Sequence, residues 1–277
     1  MITDPDRTRL AVLGSPIAHS RSPLLHAAAY AALGLPWSYE RHEVGEGGLA
    51  SFLDGLDDSW RGLSLTMPLK PEAFGLVDTA SDVAEETGAV NTLLLVGGRR
   101  AGYNTDVHGI MQALRDARIE PGRSTLVLGA GATARSVVSA VRRLGAEEVT
   151  IAGRRPAPAE AVADYARRLG LDAGTTGLDR LAALDADLVV NTIPGGAGAG
   201  IAFGERLPHA PLLEIAYDPW PSPLVERWSG PVASGLEMLL HQAVAQVRVF
   251  ATGEPDAPLP DEAAVVAAMR AAIAGAG

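Results

Sequence analysis

The sequence predicts an α/β protein of two domains, and three observations predict it. Leu126-Val127-Leu128-Gly129-Ala130-Gly131-Ala132-Thr133-Ala134 is an apolar run that stops at glycines and opens into an Ala/Val-rich helical pattern. From Ser124 to Tyr217 strand-like and helix-like segments alternate, the pattern of a parallel sheet with crossover helices. That stretch sits mid-chain, and the residues before it mix strand and helix patterns of their own, so they form a separate α/β domain.

Taken in order, residues 9–13 are an apolar strand candidate. A helix follows over residues 22–33, with Ser22 as its cap, Pro23 in its first turn and Gly34 as its stop. Residues 38–44 and 62–66 read as strands. Residues 90–96 and 101–104 flank Gly97-Gly98, a hairpin signal. In the second half, strands are expected at 125–128, 149–152, 188–191 and 212–217, with helices at 133–144 and 157–169. Gly145 suits the position after a helix end. The Gly195-Gly196-Ala197-Gly198-Ala199-Gly200 run reads as a mobile loop. Helical patterns at 236–251 and 261–274 close the chain, split by Gly253-Glu254-Pro255-Asp256-Ala257-Pro258-Leu259-Pro260. No internal repeat is visible.

The glycine bend has the layout of a dinucleotide-binding turn. Gly129 permits the tight turn, Gly131 lets backbone approach a pyrophosphate, and Ala134 packs helix on strand. The following helix start offers N–H groups and positive dipole charge to phosphate. At the end of the next strand an NAD site places Asp or Glu for the ribose 2′-hydroxyl. Here stand Gly153-Arg154-Arg155, and an arginine fork suits a 2′-phosphate, so the cofactor read from these residues is NADP.

The chain has 277 residues, 47% of them hydrophobic, enough for a sizeable core. It has no cysteine, which removes disulfides, thiolate metal sites and cysteine nucleophiles and fits a cytoplasmic protein. The formal charge of −10 argues against a nucleic-acid partner. No apolar run is long enough to span a bilayer, and the first residues do not read as a signal peptide. No His/Asp/Glu spacing suggests a metal.

Four polar clusters interrupt the N-terminal apolar pattern at strand ends. They are Ser15-Pro16-Ile17-Ala18-His19-Ser20-Arg21-Ser22-Pro23, Ser64-Leu65-Thr66-Met67-Pro68-Leu69-Lys70, Gly88-Ala89-Val90-Asn91-Thr92 and Asn104-Thr105-Asp106. In this order, with Tyr217-Asp218-Pro219-Trp220-Pro221-Ser222-Pro223-Leu224 and Gly235-Leu236-Glu237-Met238-Leu239-Leu240-His241-Gln242, they resemble the shikimate dehydrogenase family over nearly the whole chain. The resemblance implies an N-terminal α/β substrate domain (residues 1–105 and 237–277) and a Rossmann-like NADP domain (106–236). The C-terminal helices would return to the first domain, and the active site would lie in the cleft between the two.

The resemblance also implies roles. Ser20 and Ser22 would hold the substrate carboxylate. Thr66, Asn91, Asp106 and Gln242 would meet ring hydroxyls, and Tyr217 would line the substrate site. Lys70 would be the catalytic acid/base beside Asp106. Gly129, Ala130, Gly131, Ala132, Thr133, Arg154, Arg155 and Thr192 would bind NADP, with Gly235 and Met238 near the nicotinamide. The implied reaction is the reversible reduction of 3-dehydroshikimate in aromatic amino-acid biosynthesis. Expected partners are that small-molecule substrate and the cofactor, with no nucleic acid and no membrane, in a monomer or homodimer.

The chemistry agrees with these residue types. Ketone reduction needs a hydride at carbon and a proton at oxygen, and Lys70 can donate that proton and stabilise alkoxide charge. A polyhydroxylated acid needs many short polar partners, which Ser, Thr, Asn and Gln supply. His19 and His241 stay outside the catalytic set. The chain departs from the family pattern at Ser64, where many members have Asn, at Ala132, at Val107-His108-Gly109, and at Gly153-Arg154-Arg155 in place of Asn-Arg-Thr. Rival readings are a paralogue acting on quinate or an aminated analogue, possibly with NAD, a non-catalytic NADP-sensing module, and a folate dehydrogenase.

Overall fold

The computed structural model describes residues 8–194 and 200–275; the glycine-rich segment 195–199 lies outside them. Two compact units emerge, one from the residues up to Thr105 together with those from Gln242 onward, the other Asp106–His241.

The first unit is built on a mixed six-stranded sheet. Its strands are β1 (Arg9–Gly14), β2 (Ser38–Glu43), β3 (Trp60–Leu65), β4 (Thr79–Ala80), β5 (Thr92–Val96) and β6 (Arg99–Tyr103), in the order β2-β1-β3-β5-β6-β4. β1 is buried almost throughout and pairs in parallel with β2 and β3, which is why it reads as an unbroken apolar run. β5 runs antiparallel to β3 and β6. The β5–β6 hairpin turns at Gly97 and Gly98, with φ of 60° and 72°, values that glycine adopts without strain.

Helix α1 (Ser22–Ala32) has Pro23 in its first turn, as expected, but Ser22 is not its cap. Ser22 is already helical, and the Oγ of Ser20 accepts the Ser22 N–H at 3.3 Å. Three short helices, α2 (Leu49–Asp54), α3 (Lys70–Phe74) and α4 (Asp82–Thr87), were not foreseen; with five or six residues each they show no helical period. Leu13, Leu49, Leu63, Leu65, Val90 and Leu93 form the core on one face of the sheet.

The second unit carries helix α5 (Asp106–Asp116) and an all-parallel sheet. The sheet's strands are β7 (Ser124–Leu128), β8 (Glu148–Gly153), β9 (Asp172–Gly177), β10 (Leu188–Asn191), β11 (Leu212–Glu214) and β12 (Val232–Ser234). Their order is β12-β11-β10-β7-β8-β9. Counted from β7 this is the doubly wound 3-2-1-4-5-6 arrangement, whose strand order reverses between β7 and β10. Helices α6 (Ala132–Arg143) and α7 (Pro156–Arg168) cross over between β7, β8 and β9. β11 ends at Glu214, short of the expected Tyr217, because the chain turns there: Ala216 N donates back to the Glu214 carboxylate at 3.1 Å and not to a neighbouring strand.

Helix α8 (Gly235–Thr252) begins in the second unit and ends in the first, where α9 (Glu262–Ala274) packs against α1. Gly62 of β3 lets α8 settle on the sheet, since a Cβ there would overlap the Phe250 ring. Arg248 binds Glu262 with two parallel hydrogen bonds, Nε–Oε2 at 2.8 Å and Nη2–Oε1 at 2.6 Å, tying α8 to α9. Among the described residues no helix is long and apolar enough to cross a membrane.

Candidate active site

Apart from Asp106, which opens the second unit, the four polar clusters share one sheet edge of the first unit. Three follow the carboxyl ends of β1, β3 and β6. The fourth precedes β5, and because β5 runs the opposite way it reaches the same edge. Backbone hydrogen bonds knit them together. Ser15 N donates to Met67 O at 2.9 Å, Thr66 N to Leu13 O at 2.9 Å, Leu65 N to Asn91 O at 2.7 Å and Val90 N to Lys70 O at 3.0 Å. Thr66, Lys70 and Asn91, drawn from separate stretches of sequence, thus stand side by side along this edge.

Lys70 is the first residue of α3 and is half-buried, as are Thr66 and Ser20; Ser22 is buried. Asn91 is nearly inaccessible and held on several sides. Its Oδ1 accepts from Thr105 N at 2.9 Å and from Thr92 Oγ1 at 2.8 Å, and its Nδ2 donates to Thr105 Oγ1 at 3.0 Å. Gln242 is buried on α8. Four residues on, Gln246 joins the same network, as do Ser64 and Tyr39. The reading from sequence missed these three as a group. The signal for Gln246 was its spacing from Gln242, which places both on one helix face.

In the second unit the remaining residues also line one edge. The Gly129 bend follows β7, Arg154 and Arg155 follow β8, Thr192 follows β10, Tyr217 lies three residues beyond β11, and Gly235 follows β12. All stand at carboxyl ends of parallel strands, where open α/β sheets bind ligands. Gly129 N donates to Ala152 O at 2.8 Å, and Thr192 uses both its N–H and its hydroxyl on Leu128 O, each at 2.8 Å. Arg154 and Arg155 are exposed, Tyr217 is half-buried, and Gly235 and Met238 are buried. Asp106 opens α5 and is 4% exposed.

These residues fit a dinucleotide phosphate. Gly129 has φ of 105°, and a Cβ there would overlap Thr192 Oγ1, so the bend accepts only glycine. A Cβ at Gly131 would meet no atom within 4 Å. Gly131 is extended at the start of α6, and no side chain caps that helix, which leaves its first N–H groups aimed past Ala132 and Thr133. Ala130 completes the bend. No carboxylate follows β8 where a ribose 2′-hydroxyl would be held; two guanidiniums do.

Two other polar groups of this unit surfaced only in the structure. Glu214 at the end of β11 is fully buried and accepts from Asn191 Nδ2, Ala216 N and Ser222 Oγ. Burial pushes its carboxyl above the ordinary carboxylate value, while those donors pull it back. Asp116, Glu237 and His241 bring one ligand atom each within 4.8 Å of one another. Within this group His241 Nε2 and Asp116 Oδ2 lie 2.8 Å apart, a hydrogen bond that ties the end of α5 to α8.

A doubly wound dinucleotide unit with cationic residues after its second strand, in one chain with a unit presenting a lysine, hydroxyls and amides along one edge, defines an NADP-type dehydrogenase. Comparison with known proteins carries this further. Residues 12–93 match the shikimate dehydrogenase substrate binding domain. The chain is 35% identical over 287 residues to the shikimate dehydrogenase (NADP(+)) of Rubrobacter xylanophilus, covering 99% of this chain and 98% of that one. It is 40% identical to the crystal structure of Mycobacterium tuberculosis shikimate dehydrogenase, with a TM-score of 0.82 over 95% of this chain and 99% of that one. The Thermus thermophilus enzyme, solved with NADP(H) and shikimate, is 35% identical with a TM-score of 0.79 over 96% of this chain and 99% of that one. This chain belongs to the shikimate dehydrogenase family.

Proposed function

We propose that this chain interconverts 3-dehydroshikimate and shikimate with NADP(H), using Lys70 and Asp106 as the catalytic pair. The observation that carries the reading is the shared edge of the first unit, where backbone hydrogen bonds bring Thr66, Lys70 and Asn91 together. NADPH supplies the hydride when bound. Lys70 supplies the proton to the carbonyl oxygen and stabilises the alkoxide as charge builds. In the reverse direction it receives that proton. Asp106 receives a ring hydroxyl of the substrate.

Ser20 and Ser22 hold the carboxylate, with the Ser20–Ser22 hydrogen bond fixing the hydroxyl nearer the strand end. Thr66, Asn91 and Gln242 receive ring hydroxyls, and Tyr217 borders the ring. On the cofactor side, backbone N–H groups from Gly129 to Thr133 take the pyrophosphate, Arg154 and Arg155 take the 2′-phosphate, and Thr192, Gly235 and Met238 border the nicotinamide half. We infer a cytoplasmic location, which the lack of cysteine fits.

Lys70→Ala tests the assignment. A positioned general acid is worth about 10²–10⁴-fold, so kcat is expected to fall by that factor while shikimate and NADP still bind. Turnover near that of the unmodified enzyme would remove Lys70 from the mechanism.

A further inference from the structure

Gln246 is 2% exposed and makes hydrogen bonds at both ends of its amide. Its Oε1 accepts from Ser64 Oγ at 2.9 Å, and that hydroxyl in turn accepts from Tyr39 Oη at 2.7 Å. Its Nε2 donates to Thr92 Oγ1 at 3.1 Å and to the main-chain oxygen of Asn91 at 3.3 Å. Thr92 Oγ1 then donates to Asn91 Oδ1 at 2.8 Å.

The directions of these bonds are forced. Asn91 O can only accept, so the Gln246 amide turns Nε2 toward Asn91 and Thr92 and Oε1 toward Ser64, which gives its proton to Gln246 and receives that of Tyr39. Thr92 receives that N–H and is left with one proton, which goes to Asn91 Oδ1. Gln246 therefore grips Asn91 twice, at its backbone and through the hydroxyl that holds its side chain. It lies one helical turn beyond Gln242, on the same face of α8.

We infer that Gln246 is a positioning residue, which locks α8 to Asn91 so that Gln242 and Asn91 face the substrate's ring hydroxyls at a fixed spacing. The inference rests on the reading of Asn91 and Gln242 given above. Gln246 touches neither substrate nor cofactor; it acts through Asn91.

Steady-state kinetics of Gln246→Leu, alone and combined with Asn91→Ala, test it. Gln246→Leu is expected to raise KM for shikimate about tenfold, the scale of one hydrogen bond, and to leave KM for NADP within about twofold. In the Asn91→Ala background the same change is expected to add clearly less, because the side chain that Gln246 positions through Thr92 is gone and only its main-chain grip remains. Should Gln246→Leu fail to fold, Thr92→Val cuts the link to Asn91 Oδ1 with the side-chain shape retained, and the same rise in KM is expected.

An equal rise from Gln246→Leu with and without Asn91 would overturn the inference, since Gln246 would then act independently. So would a raised KM in Asn91→Ala with an unchanged one in Gln246→Leu or Thr92→Val; the proposed substrate contacts would survive that result. An unchanged KM in Asn91→Ala would overturn the contact itself and the inference with it.

Discussion

Asn191 Nδ2 donates to both carboxylate oxygens of Glu214, at 2.9 and 3.0 Å, joining the carboxyl ends of neighbouring strands β10 and β11. Glu214 is fully buried, and burial raises its pKa above the usual carboxylate value. With the folded pKa above the unfolded one, the native state holds this proton more tightly. The group's contribution to stability is present below the unfolded value and is lost as pH rises through the folded one. Glu214→Gln removes the titration. The stability of the unmodified protein relative to this variant is therefore expected to increase as pH falls from 7 toward 4.5, the unperturbed value. Denaturant midpoints across that range check it; parallel pH profiles would contradict it.

His26 has the opposite sign. It is buried on α1, stacks on Tyr39 with ring centroids 3.9 Å apart, and its Nδ1 lies 3.0 Å from Ser22 O. Burial lowers its pKa from 6.5 to about 4. The unfolded chain takes up a proton that the folded one refuses, so stability is expected to fall as pH drops from 6.5 to about 4. The loss amounts to about 3 kcal/mol if the whole window is crossed. His26→Phe keeps a ring against Tyr39 and does not titrate. Its stability is expected to hold better than that of the unmodified protein in acid, and equal acid losses would show that His26 is not responsible.

Legibility in the sequence followed the range of the interactions involved. The β7–α6 turn was readable because a buried strand, a glycine bend and a helical period occur in succession within one stretch. The β5–β6 hairpin was readable because Gly97-Gly98 has a single conformational use. β9 was not readable: Asp172, Gly174 and Gly177 are poor strand formers, and this edge strand is held by pairing with β8 alone. β4 and β12 are too short to show alternation. At the site, Thr66, Lys70 and Asn91 stood out as polar residues at strand ends. The bond between Ser64 and Gln246 spans 182 residues, and no local pattern announces such a pair. Ser22 before Pro23 has the pattern of a cap, yet the helix begins at Ser22 itself, one residue earlier than that pattern requires.

The two glycines of the nucleotide bend separate folding from binding. Gly129 combines φ of 105° with contact against Thr192, so Gly129→Ala costs about 1–3 kcal/mol in backbone strain before the overlap is counted. A clear fall in melting temperature is expected. A methyl at Gly131 meets no protein atom within 4 Å, so Gly131→Ala is expected to melt like the unmodified protein. It would instead stand where the backbone receives pyrophosphate, and KM for NADP is expected to rise. Thermal melts and cofactor titrations of both variants check this; a destabilised Gly131→Ala with unchanged KM would reverse the roles.

Arg154 should decide between the two nicotinamide cofactors. It is exposed, directly follows β8 and has no carboxylate beside it in sequence, only Gly153 and Arg155. A charge-assisted hydrogen bond of this kind contributes about 1.5–3 kcal/mol, which corresponds to roughly a 10- to 150-fold change in affinity. Arg154→Ala is expected to raise KM for NADP by a factor in that range. KM for NAD, which has no 2′-phosphate, should stay nearly constant, so the preference between the two narrows from one side only. Arg155 is the first flanking residue of α7 and makes no capping bond there, so Arg155→Ala is expected to give a smaller effect of the same kind. Initial rates of both variants with each cofactor at saturating shikimate measure it, and equal increases in KM for NADP and NAD would take the 2′-phosphate away from Arg154.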